Sequence, residues 1–170
     1  VSDGDLVIGT AGHGIDFSTA AGSASGASAS ILDDYEEGTW DPIFDSGTGG
    51  GSLSASSNYA NQHGKYVKVG NLVMLSIHVQ CANSGTGSIS GQLRISNLPF
   101  GNGGYAGVSF NCGISQNLTN EHPNSAYMFG GGGTQLWLQK RTPDIGESPV
   151  DAADVVNNTR VDCGVTYRTT

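Results

Sequence analysis

No Lys or Arg occurs between Val1 and Asp45, a stretch that holds nine Asp and Glu. Charge is scarce over the whole chain as well, at 13% of 170 residues, where about 25% is usual. From Ser46 onward six acids face seven bases, so the net charge of −8 belongs to the N-terminal segment. Without a basic stripe the chain has nothing to track phosphates, which excludes nucleic acid as its partner. No run approaches the ~18 consecutive apolar residues of a membrane-spanning helix, so no membrane insertion is expected. The first ten residues have neither a basic start nor an apolar run, and no secretory leader is expected there. Opening on Val, the chain reads as a fragment or a processed product.

The motifs of common chemistries are missing too. Cys81, Cys112 and Cys163 form no CxxC pair, and an odd number cannot all pair internally. Each sits on the apolar phase of a strand, so they are expected as buried free thiols in a chain that folds in a reducing cytoplasm. His13, His63, His78 and His122 are scattered without HxH or HExxH spacing, which leaves a zinc site unsupported. They read as surface residues; the alternative at His78, whose strand face also carries Met74, is a three-fold axis bringing three copies together. There is no G-x-S-x-G elbow and no Walker loop. No cofactor is expected.

What the chain does have is glycine, 27 of 170 residues, together with many Ser, Thr and Asn. That mixture favours short strands joined by turns and disfavours long helices. Period-2 alternation dominates from about residue 60. Val73, Leu75, Ile77, Val79 and Cys81 share one face of "NLVMLSIHVQC". Leu93 and Ile95 point inward, with Arg94 and Ser96 outward. Val108, Phe110, Cys112 and Ile114 oppose Ser109, Asn111 and Gly113; Leu136 and Leu138 oppose Trp137. Val161, Cys163, Val165 and Tyr167 align in the last stretch, with Arg160, Asp162 and Arg168 outward. A Gly70-Asn71 turn makes a hairpin after Val67 and Val69. With one strand near Gly38 to Ile43, seven or eight strands result. The fold expected is all-β, an antiparallel β-sandwich or jelly roll over residues 36–170. Glycine-rich connections, including the stretch from Gln139 to Val156, are expected at its ends, where binding surfaces are usually built.

Residues 1–35 look different. A small-residue linker, "TAAGSASGASAS", follows a short apolar piece, and the segment cannot bury enough surface to fold alone. It is expected to be an extended shaft that takes its core from sister copies wound around a shared axis. At its end "ILDDYEEGTW" crowds carboxylates around a tyrosine. Calcium-loop spacing is absent, and a hydrophilic junction offers no cleft to split two carboxyl pKa values. Asp33, Asp34, Tyr35, Glu36, Glu37 and Trp40 therefore read as the joint between shaft and head, with the acids placed to pair with bases of a neighbouring chain. No catalytic or metal-binding residue is expected. Tyr105, Tyr127, Phe129 and Trp137 lie near glycine-rich loops and are the candidate receptor contacts, able to stack against sugar rings; the competing reading is core or inter-subunit packing.

"GHGIDFS", "LDDYEEGTWDP", "GKYVKVGNLVMLSIHV" and "LRISNLPF" together resemble the C-terminal region of tail-fibre and related virion proteins of tailed bacteriophages, those of marine cyanobacterial phages above all. Asp41 stands where the family form has threonine. The likeness covers most of the chain except about residues 115–156. It implies a homotrimeric fibre on the virion, joined through its N-terminal side to other virion proteins, with a head that contacts the host. It carries no catalytic residue onto this chain. Three functions stay open: a fibre head binding host-surface glycan, a purely structural head-fibre, decoration or appendage subunit, and a polysaccharide depolymerase. The last needs a carboxylate pair about 5–9.5 Å apart, and the acids of the head are few and dispersed.

Overall fold

The computed structural model describes residues 9–10, 13–16, 31–32, 34–47, 50–82, 89–104, 108–120, 122–129, 131–142 and 146–169. Among them are twelve strands, two short 3₁₀ turns and no α-helix. The strands are β1 (Ile15–Asp16), β2 (Ile31–Leu32), β3 (Tyr35–Trp40), β4 (Ile43–Ser46), β5 (Tyr59–Val69) and β6 (Leu72–Cys81), then β7 (Leu93–Ser96), β8 (Ser109–Leu118), β9 (Ser125–Tyr127), β10 (Leu136–Thr142), β11 (Gly146–Pro149) and β12 (Val155–Arg168). One sheet runs β3-β5-β6-β12-β8; the other runs β11-β10-β7-β4, with β9 also paired to β10. Every pairing is antiparallel. No helix among the described residues is long and apolar enough to cross a membrane.

The alternation in the sequence is the reason these sheets face each other. Val73, Leu75, Ile77, Val79 and Cys81 of β6 and Val161, Cys163, Val165 and Tyr167 of β12 are buried. They meet Phe44, Leu93, Ile95, Leu136 and Leu138 from the second sheet in one hydrophobic cluster. This is an all-β sandwich. Gly70 and Asn71 close the β5–β6 hairpin in two residues, since Val69 pairs with Leu72. Gly70 has φ 56°, the positive φ that such a turn demands at its first position.

Four expectations need correction. The single strand near Gly38 to Ile43 is two, β3 in one sheet and β4 in the other. Asp41 and Pro42 separate them, Pro having no N–H for a ladder. Ile114 does not join the inner face and is 36% exposed. Between Cys112, opposite Cys163, and Ile114, opposite Asp162, Gly113 is an extra residue; such a bulge flips the phase beyond it. Ser96 is outward in phase but buried, because its hydroxyl donates to Asp45 Oδ2 at 2.8 Å. The supposed loop from Gln139 to Val156 contains most of β10 and all of β11, paired from Gln139↔Pro149 to Thr142↔Gly146.

Within residues 1–35, β1 and β2 pair only with each other and join neither sheet of the sandwich. The two run antiparallel, with Ile15 opposite Leu32; the linker between them lies outside the described residues. Both side chains are 43–44% exposed.

Candidate binding surface

Trp137 lies on the outer face of β10, between Tyr127 of β9 and Arg94 of β7 in direct register. Tyr127 stacks on its ring, with centroids 5.9 Å apart and planes at 16°. Phe129 meets the indole edge-on at 5.1 Å and the Tyr127 ring edge-on at 5.2 Å. These offset and T-shaped arrangements suit the ring quadrupoles. On the other flank the Arg94 guanidinium lies over the indole, 5.0 Å from a ring centroid. Its Nη2 is 2.7 Å from Asp45 Oδ2, so the cation is both stacked and paired. Gly47 completes the seat: a Cβ there would fall 1.9 Å from the Trp137 ring.

Three of the four sequence-predicted aromatics thus form one patch. Tyr105 lies outside the described residues. Trp137 is not a loop residue and is only 8% exposed, whereas Phe129 is 56% exposed. Alternation places Trp137 on the outer face but does not show that Phe129, Tyr127 and Arg94 cover it. The indole is the foundation and the rings of Phe129 and Tyr127 are the presented surface. Chemically such a patch offers apolar ring faces and edges, while the cation beside it is already matched by Asp45. It suits an uncharged partner that has C–H faces. The Arg94–Asp45 pair was not singled out from sequence; opposite charges on neighbouring outward positions were its only signal.

The acidic stretch is divided by its strand. Successive residues of β3 alternate between faces, so Glu36 and Glu37 do not converge. Glu36 Oε1 accepts from Tyr66 Oη at 2.6 Å, and Glu37 Oε2 from Tyr35 Oη at 2.8 Å. Asp34 pairs with Lys68 of its own chain; Asp33 lies outside the described residues. Tyr35–Trp40 form the outer strand of the five-stranded sheet, and Trp40 packs against the core. No group of three or more His, Cys, Asp or Glu placed to hold a metal occurs among the described residues. His78 Nδ1 sits 2.8 Å from Asp162 Oδ1, and His122 Nδ1 is 2.7 Å from Ser115 Oγ. Cys81, Cys112 and Cys163 are free thiols; the first and last are buried and Cys112 is partly so.

No protein-family model matches this chain, and no curated protein matches it. A solved structure that does is the Dettilon tailspike protein, at TM-score 0.58 and 20% identity over 79% of this chain. The chain spans about a quarter of that protein, 23% of its length. At that identity the likeness shows a shared fold.

Proposed function

We propose that this chain is a phage tail protein whose β-sandwich head docks onto host-surface glycan through the patch of Tyr127, Phe129 and Trp137. The observation that carries this reading is the assembly of those rings on one outer face, with Phe129 presented and Trp137 beneath it. The fold shared with a tailspike protein and the sequence motifs of virion fibres support it. On this reading the chain acts as a homotrimer on the virion surface, joined to other virion proteins at its N-terminal side. Binding without cleavage is the role assigned to it. Asp45, the acid beside the patch, is committed to Arg94 and Ser96. Single weak sites near 4 kcal/mol each become effective when three act together.

The test is adsorption to host cells and glycan-array binding by Phe129→Ala and Tyr127→Ala variants. Each should lower binding on the order of tenfold, since losing a stacked aromatic contact costs about 0.5–1.5 kcal/mol per site and several sites engage together. Thermal midpoints should hold for Phe129→Ala, whose ring is more than half exposed. Unchanged adsorption by both variants would return the chain to the purely structural class.

A further inference from the structure

Glycine in the middle of a strand costs about 0.5–1 kcal/mol relative to alanine, and usually marks a bulge or a close approach. Two of the mid-strand glycines have such an approach within the chain: a Cβ at Gly38 would meet the Tyr66 hydroxyl at 2.6 Å, and one at Gly64 the Trp40 ring at 2.3 Å. Gly164 has none. Among the described residues other than its chain neighbours, the nearest atom to a Cβ there would be the Leu75 carbonyl oxygen at 3.9 Å, which is ordinary contact. Its φ is not positive either. Neither backbone geometry nor packing requires glycine at the centre of β12.

The surroundings of Gly164 suggest what does. On the outer face of the five-stranded sheet Gly164 lies in register between Ser76 of β6 and Asn111 of β8. The row therefore has a hydroxyl, an empty centre and a carboxamide on three adjacent strands. A hollow of about 360 Å³ opens here, lined also by Gly113 and Asp162. Among the described residues neither Ser76 nor Asn111 has a side-chain hydrogen-bond partner. Asp162 is fixed in place by His78 at 2.8 Å and by the Arg160 guanidinium at 3.1 Å. Its charge is therefore balanced and the hollow carries no net charge to attract an ion. Two strand spacings separate Ser76 from Asn111, roughly 9.6 Å. A six-membered ring lies flat on the glycine at this scale, with the Ser76 and Asn111 side chains at its two ends to hydrogen-bond its hydroxyls.

We propose that Gly164 is the floor of a saccharide subsite for one neutral hexose ring, with Ser76 and Asn111 as its hydrogen-bonding flanks. This rests on the glycan-binding reading above but uses the opposite sheet from the aromatic patch. The test is saturation-transfer NMR of the full chain with free glucose, galactose, mannose and N-acetylglucosamine at millimolar concentration. At least one sugar should bind. Gly164→Val should weaken that binding on the order of tenfold without lowering the thermal midpoint, because valine favours strands and has room here. Ser76→Ala and Asn111→Ala should each weaken it severalfold and, being exposed truncations, keep the test valid should Gly164→Val fold poorly. The measurements are made in the Phe129→Ala/Tyr127→Ala background, where the aromatic patch no longer contributes signal, and the binding should persist there. Absence of a signal from all four sugars overturns the proposal, as does a signal that survives the Ser76→Ala/Asn111→Ala pair or a folded Gly164→Val variant. The aromatic-patch reading fails separately, if Phe129→Ala and Tyr127→Ala adsorb like the parent whatever the Gly164 variant does.

Discussion

Trp40 and Trp137 are seated alike, each with its indole on a residue that has no side chain. From the sequence both were read as functional residues, one at a joint and one near a glycine-rich loop. The glycines beneath them, Gly64 and Gly47, gave no signal because their partners are distant in the chain. Period-2 patterning tells which way a side chain points and not what covers it afterwards. The buried titratable residues are a different matter: their burial follows from the pattern and has a pH consequence. Burial pushes the Cys81 thiol up to about 12. It also raises Cys163, Tyr59 and Tyr167, desolvation being the first cause in each. Tyr59 Oη accepts from the Phe44 amide and Tyr167 Oη donates to the Phe100 carbonyl, at 2.6 and 2.7 Å. Unfolded, thiols and phenols ionise at about 8.5 and 10. Groups whose folded pKa is the higher bind more protons when folded, so their contribution is whole below the unfolded value and is lost as pH rises. As far as these groups go, stability should hold to about pH 8.5 and fall steadily above it. Tyrosinate absorbance should show two classes, with the buried phenols ionising only as circular dichroism reports unfolding. A fold whose midpoint does not change up to pH 11, about a unit above the phenol reference, contradicts this.

At the scale of the element, strands with uninterrupted alternation were legible and those without it were not. β6 and β12 alternate along most of their length, and their inner residues are those expected. β9 and β11 are three and four residues long, respectively. Neither has enough residues for a period to register, and both gain their place by pairing with β10. The strand β3 shows what an element adds beyond its residues. It lies at the sheet edge, where no described strand pairs with its outer side, and Trp40 and Tyr66 lie over Gly64 and Gly38 across the β3–β5 pair. Gly64→Ala would put a Cβ 2.3 Å from the Trp40 ring, so the indole must leave. Such overpacking costs about 1–3 kcal/mol, or very roughly 2–4 °C for each kcal/mol in a chain of this size. Trp40 emission should shift to the red, and amide exchange should rise along Tyr35–Trp40 before it does in β6. Equal midpoints for Gly64→Ala and the parent would mean that the edge strand is held by its ladder alone.

For the molecule as a whole, a two-layer sandwich was readable because five segments each had one dry and one wet face. The arrangement of its N-terminal segment was not. That stretch is polar and small, and composition says only that it cannot hold itself together. Among the described residues the core begins at Phe44, and β1 and β2 touch neither main sheet through backbone pairing. Head stability and assembly should therefore separate. The whole chain is expected to scatter light as a particle near three times 17.4 kDa. A chain starting at Asp34 keeps the Lys68 pairing, β3 and the entire described core, so it should melt within a few degrees of the parent. If sister copies meet through the first thirty residues, that shortened chain should scatter as a monomer. Threefold mass in the shortened chain would instead place the contact on the head, and the outer face bearing His78 and Met74 becomes the surface to examine. A whole chain that stays monomeric at micromolar concentration removes the avidity on which weak glycan sites depend, and the adsorption role with it.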